Sequence, residues 1–207
     1  MHGTRYHKLL AFGLIVLAAC GPRTDDTDAQ PAADPALAAS DNAHDRFWAG
    51  LLQHCGQAYE GAVVEAPADD TTFAGRRLVM HVRECSDSEI RIPFHVGENR
   101  SRTWVLTRTE QGIRLKHDHR HEDGTDDEIT MYGGDTAAAG TAEVQEFPAD
   151  QHTATLIPAA STNVWTVEIR PGQEYVYALR REGTDRRFRI EFDLTREVEA
   201  PPTPWGF

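Results

Sequence analysis

The side chains best suited to chemistry are concentrated between Arg114 and Gly134, in RLKHDHRHEDGTDDEITMYGG. His117, His119 and His121 alternate along this stretch, and Asp126 and Glu128 follow shortly after. Imidazole nitrogens and carboxylate oxygens are ligands for divalent first-row metals such as zinc, and an imidazole beside a carboxylate can also move a proton. Spacing restricts the metal option. Alternate residues of one strand stand about 6.6 Å apart, so one ion is bridged by two histidines and strains to take a third. Two of the three, with Glu128 or Asp126, make the candidate metal set. A polar rim in which each imidazole lies near a carboxylate that raises its pKa uses the same residues without an ion. A ligand-orienting or catalytic histidine is the third use.

These residues need a hairpin to position them. Asp123-Gly124 between two strand-like runs predicts a two-residue turn, which sets His121 against Asp126, His119 against Glu128, His117 against Thr130 and Leu115 against Tyr132. Strand side chains alternate, so Ile113, Leu115, His117, His119 and His121 share one face, and Arg114, Lys116, Asp118, Arg120 and Glu122 the other. The histidines therefore continue an apolar face and point inward, or toward a barrel mouth.

The same period of two runs through the chain after Gly61. It marks strands at Ala62 to Ala66, Leu78 to Val82, Ile90 to Phe94, Trp104 to Leu106, Ile113 to Leu115, Ile129 to Met131, Glu143 to Phe147, Trp165 to Ile169, Tyr175 to Leu179 and Phe188 to Leu194. Turn residues separate most of them, as in Gln111-Gly112, Pro171-Gly172 and Gly183-Thr184-Asp185. Nine or ten strands joined by short connections predict an all-β antiparallel meander, and closing it into an up-and-down barrel removes two unpaired edges. A two-sheet β-sandwich is the alternative. Ahead of the strands, Ser40, Asp41 and Asn42 offer N-cap oxygens to a short helix bearing Trp48, Leu52, Cys55 and Tyr59 on one face. The stretch from Gly133 to Asn163 interrupts the rhythm, with a short helix expected within Ala149 to Ile157, and suits a gate at the mouth or a surface loop. Trp104, Trp165, Tyr175, Tyr177 and Tyr132 are the candidate liners of an interior that holds a small apolar or amphipathic ligand. Arg180, Arg181, Arg186, Arg187 and Arg189 flank the last hairpin, as a solvated basic edge or an anion site. The C-terminal PPTPWGF reads as a rigid tail that docks Trp205 and Phe207 on the barrel.

With 33 acidic residues against 21 Lys and Arg, a formal charge of −12 disfavours nucleic acid and anionic headgroups as partners. No Gly-rich phosphate loop, Gly-x-Ser-x-Gly elbow or Cys-x-x-Cys pair occurs, so enzymatic chemistry has only the histidine hairpin in its favour. Three cysteines are present: Cys20, Cys55 and Cys85.

The N-terminus resembles that of bacterial lipoproteins. Arg5 and Lys8 precede an apolar run, Leu9 to Leu17, too short to span a bilayer, and Leu17-Ala18-Ala19-Cys20 has the form of a lipobox. The resemblance implies a signal peptide over 1–19, a diacylglyceryl group on Cys20, and an envelope location, on the outer membrane facing the periplasm. Export to an oxidising compartment leaves Cys55 and Cys85 as an even pair for a disulfide. Residues 20–43, rich in Pro, Ala and Asp, form the expected disordered tether, and 44–207 the barrel domain. RTWVLTR (Arg102 to Arg108), RLKHDHRHEDGTDDEITMYGGDT and FRIEFDLT (Phe188 to Thr195) resemble a family of uncharacterised secreted bacterial proteins, which implies an exported domain and no particular activity. Lipocalin-like barrels are similar in architecture, an analogy that carries no function. A structural envelope lipoprotein with a solid barrel fits the same pattern.

Overall fold

The computed structural model describes residues 1–3 and 35–207. All but the first three residues of the expected signal peptide, the Leu17 to Cys20 motif and most of the expected tether lie outside the described residues. Within that tether, Pro35–Ala38 forms a short helix, α1, and Leu37, the one large apolar residue of the stretch, packs against the core. The barrel domain therefore recruits part of the segment expected to be free.

Helix α2 spans Ala43–Leu52 and starts where the N-cap oxygens predicted, with Asn42 Oδ1 accepting the His44 N–H at 2.9 Å. It is shorter than the apolar stripe suggested. Cys55 lies in the turn that follows, and Tyr59 already belongs to the first strand. Phe47, Trp48, Leu51 and Leu52 are buried beneath the barrel. Asp45 pairs with Arg108, and the Trp48 indole N–H donates to the Ser86 carbonyl at 3.2 Å. Cys55 and Cys85 are joined by the expected disulfide.

The strands are β1 Ala58–Glu65, β2 Leu78–His81, β3 Glu84–Cys85, β4 Glu89–Val96, β5 Asn99–Thr109, β6 Gly112–His119, β7 Tyr132–Asp135, β8 Val144–Pro148, β9 Asn163–Arg170, β10 Glu174–Arg181 and β11 Arg187–Val198. Ten of them form one antiparallel path, β7-β6-β5-β4-β2-β1-β11-β10-β9-β8, with β3 beside β2 on β4. First and last strands pair, so the sequence order is also the order around the wall. This is the up-and-down barrel, open only at the β7–β8 seam; a single continuous sheet replaces the sandwich alternative.

The seam is closed without a ladder. A helix α3, Gln151–Leu156, ends before Pro158 and is capped by Asp150, whose carboxylate accepts the Thr153 N–H at 2.8 Å. Thr153 Oγ1 accepts from Gly133 N–H at 2.7 Å and donates to the Gly133 carbonyl at 2.8 Å, and Asp150 N–H donates to that same carbonyl. Lys116 pairs with the Asp150 carboxylate. The approach needs glycine: a Cβ on Gly134 would lie 1.8 Å from the Pro148 carbonyl oxygen.

Inward residues fill the barrel. Phe94, Trp104 and Tyr177 form a three-ring stack, with centroids 4.6 and 4.4 Å apart. Such pairs add roughly 0.5–1.5 kcal/mol each beyond the area they bury. Outward positions carry ion pairs such as Arg114–Asp135 and Arg189–Glu168, both at 2.7 Å, as on a wall facing water. Among the described residues no helix is long and apolar enough to cross a membrane. The C-terminal tail crosses the outside of β4, β5 and β6. Trp205 N–H donates to the Arg100 carbonyl, and the Phe207 ring lies under the guanidiniums of Arg91 and Arg120.

Candidate functional site

The two ends of the barrel differ. Helix α2 and the disulfide occupy one end; at the other, the β1–β2, β6–β7, β8–β9 and β10–β11 connections surround a concave mouth of about 270 Å³. Its floor is aromatic, with Tyr132, Trp165 and Tyr177, and its sides include Phe73, His119 and Ile157. Asp70 holds the β1–β2 connection in place by accepting the Thr72 and Phe73 N–H groups, and Phe73 packs over Phe94 and Phe188. The Gly133 to Asn163 stretch does reach the mouth, contributing Ile157, Ala160 and Asn163. Of the five expected liners, Tyr132, Trp165 and Tyr177 meet the cavity, whereas Trp104 and Tyr175 are packed in the core below.

The histidine hairpin has a different register from the one expected. His121 N–H donates to the Thr125 carbonyl, giving a three-residue loop with Gly124 at φ 86°, rather than a two-residue turn. Beyond it, Arg120 bridges Asp126 while His117 pairs with Tyr132, so one strand advances three residues and its partner six. The excess bulges out between Asp127 and Met131. Met131 has φ 55°, the Thr130 hydroxyl accepts the His119 N–H, and Ile129 and Met131 are exposed rather than forming a strand.

This bulge separates the expected metal ligands. His117 faces inward and is only 3% exposed, with Nδ1 3.0 Å from the Tyr132 carbonyl and Nε2 2.8 Å from the Tyr177 hydroxyl. His119 also faces inward, with Nε2 3.2 Å from the Tyr132 hydroxyl. His121 lies on the exposed loop, and Asp126 is turned to Arg120 at 2.6 Å. Of the set His117, His119, His121, Glu128 and Asp126, only His121 and Glu128 come together, at 3.7 Å. Among the described residues, the ligand atoms close enough to share an ion belong instead to His121, Asp127 and Glu128, all within 4.8 Å of one another. Nor are the inner imidazoles raised by carboxylates: burial pushes His117 down to about 3, and burial together with the Arg102 charge pushes His119 down to about 4. Burial raises the Tyr132 phenol to about 12. At neutral pH the histidines and phenols of the mouth are therefore uncharged.

Guanidinium groups supply the charge here. The arginines of the last hairpin divide by strand parity: Arg180 and Arg189 face outward and pair with Glu146 and Glu168, whereas Arg181 and Arg186 line the mouth. Arg102, on β5 with the parity of Trp104 and opposite His119, is a further inward guanidinium. The sequence reading did not single out Arg102; its two-residue offset from inward Trp104 was the available signal.

A second cavity, about 550 Å³, lies outside the barrel beneath the C-terminal tail, between Arg77, His95, Arg100 and Glu199 to Pro202. His95 is buried there, and burial pushes its pKa down to about 4. Comparison of the chain with protein-family models, curated proteins and solved structures finds no match.

Proposed function

We propose that this chain is a lipid-anchored envelope protein whose barrel binds a small apolar or amphipathic ligand at its mouth. The observation that carries the reading is the asymmetry of the barrel: one end is covered by α2, while the other opens over Tyr132, Trp165 and Tyr177. A concave aromatic surface with a few polar groups at its edge suits small-molecule recognition. At about 270 Å³ the space lies just below the roughly 300–1,000 Å³ usual for drug-sized ligands, so a compact molecule fits best. The three-ring stack below keeps the ligand at the mouth.

Native mass spectrometry of protein purified from its own envelope tests the reading, together with the change in Trp165 fluorescence on adding compact aromatic probes. A co-purified small molecule, or saturable quenching lost in Trp165→Phe, supports it. If neither appears, the barrel is a solid structural element. The lipid anchor rests on Leu17-Ala18-Ala19-Cys20 and is tested separately: Cys20→Ser should move the protein from the membrane to the soluble fraction with its fold intact.

A second reading is favoured by the His121, Asp127 and Glu128 grouping, whose ligand types suit zinc. Calorimetric titration with zinc should give one site that is lost in His121→Ala. A flat titration excludes a metal role for this loop.

A further inference from the structure

The chain carries 33 acidic residues against 21 basic ones, so an arginine on its surface would ordinarily find a carboxylate. Many outward arginines of the wall do: Arg114 meets Asp135 at 2.7 Å, Arg91 meets Glu89 at 2.7 Å, and Arg180 meets Glu146 at 2.5 Å. The inward arginines at the mouth do not. Arg102 donates to Asn99 Oδ1 at 2.8 Å and approaches the Ser101 hydroxyl at 3.4 Å. Arg181 donates through Nε to Asn163 Oδ1 at 2.9 Å, and Arg186 lies over the Phe188 ring at 5.0 Å. Among the described residues none of the three has a carboxylate at ion-pair distance.

We infer that the mouth selects an organic anion, a compact carboxylic acid whose apolar body rests on Trp165 and Tyr177 and whose carboxylate is taken by the guanidiniums of Arg181 and Arg186, with Arg102, opposite His119, adding to the positive field. The inference rests on reading the mouth as a ligand site and names the class of ligand. Arg102 and Arg181 are half-buried without a counterion, which is costly, and Arg186 is exposed beside them; an incoming carboxylate offsets that cost with charge-assisted, fork-shaped hydrogen bonds. Of the neighbouring groups, His119 is held neutral and the phenols stay protonated, while the Asp127 carboxylate offsets part of the Arg102 charge and leaves Arg181 and Arg186 as the main positive groups of the mouth. The mouth thus combines an aromatic surface with guanidiniums that have no carboxylate at ion-pair distance, and a monoanion with an apolar body meets both features together.

The test is calorimetry on the full chain at pH 7.5 with 2-naphthoate and its neutral counterpart 2-naphthamide, which share one apolar body. Naphthoate should bind roughly tenfold or more tighter, as expected for a hydrogen bond to a charged group. In Arg181→Gln/Arg186→Gln that gap should narrow several-fold through loss of naphthoate affinity, and Arg181→Lys/Arg186→Lys should restore part of it. Circular dichroism and thermal melting confirm that each variant is folded. Equal binding of the two probes, or preference for the amide, overturns the inference and leaves the ligand-binding reading intact. Binding of neither overturns both.

Discussion

The Tyr177 hydroxyl and His117 Nε2 lie 2.8 Å apart in the barrel interior, and chemistry fixes which donates. The Tyr132 carbonyl, 3.0 Å from His117 Nδ1, can only accept, so Nδ1 carries the proton. Neutral His117 then accepts at Nε2, and Tyr177 donates. The Tyr132 ring stacks on the same imidazole with centroids 4.5 Å apart and planes 9° from parallel. Protonating His117 would place a charge in a dry site and require the Tyr177 hydroxyl to turn from donor to acceptor.

Stability should therefore fall with acidification well before the carboxylates titrate. His117 and His119, at about 3 and about 4 in the fold, bind protons less readily than in the unfolded chain, where the value is about 6.5. The unfolded state takes up more protons in this window, so stability is fully present above pH 6.5 and is lost as pH falls toward 4. Each histidine contributes up to about 1.4 kcal/mol per pH unit. Asp45 and Asp150, lowered by hydrogen bonds and cationic partners despite burial, act below that range. Urea unfolding between pH 7.5 and 4.5 should give a steep wild-type slope, and a slope smaller by up to one proton in His117→Gln. Equal slopes would show that His117 is protonated in the fold.

At the β7–β8 seam, Thr153→Val removes the hydroxyl that both accepts from and donates to Gly133 while keeping its shape. Two buried backbone groups lose a partner, and the expected cost is about 1–3 kcal/mol. Gly133 keeps the Asp150 N–H on its carbonyl, so the barrel should still fold. Hydrogen exchange should quicken at the Gly133 and Asp150 amides and stay unchanged along β1 and β11. Unchanged exchange at the seam would mean that side-chain packing alone closes the barrel.

The meander was legible in the sequence because ten inward stripes repeat with period two and short turns forbid most other topologies. The same alternation placed His117 and His119 on the inner face. What it could not supply was the bulge at Asp127 to Met131, since a strand with extra residues shows no change in composition. That bulge leaves Ile129 exposed at the edge of the mouth and brings Asp127, rather than Asp126, to His121. Asp118 was also hidden, because an outward strand position is normally exposed, whereas here the side chains of Arg91 and Arg120 close on its carboxylate. The cationic mouth followed from strand parity at Arg102, Arg181 and Arg186, but its lack of carboxylate partners depends on contacts across the barrel.

Removing the Cys55–Cys85 disulfide should cost about 3–4 kcal/mol, because a cross-link over a separation of 30 residues restricts the unfolded chain by about that amount. The bond joins the turn after α2 to β3, so its loss should loosen the closed end and spare the mouth. Denaturant unfolding of Cys55→Ala/Cys85→Ala measures the first effect. Affinity for naphthamide, which reports the mouth, should remain as in wild type; a loss of both together would show that the two ends are coupled through the barrel.

Asp118 points outward from β6 yet is only 2% exposed. Its carboxylate lies 2.8 Å from Arg120 and 3.6 Å from Arg91, and Phe207 backs both guanidiniums, with its ring centre 5.2 Å from Arg91 and 6.0 Å from Arg120. If the tail shields this triad from water, the triad and the tail must be energetically coupled. In the full chain Asp118→Asn leaves two guanidiniums facing a neutral amide and should cost about 3 kcal/mol, as breaking a buried pair does. With Trp205 to Phe207 deleted, the same ion pairs meet solvent and should be worth about 1 kcal/mol or less, with visible weakening by salt. The double-mutant cycle should therefore yield a coupling near 2 kcal/mol, inside the range of about 0.5–3 kcal/mol found for contacting groups. Additive losses would mean that Asp118 is buried by the strands themselves, and that the tail merely lies over a site already closed.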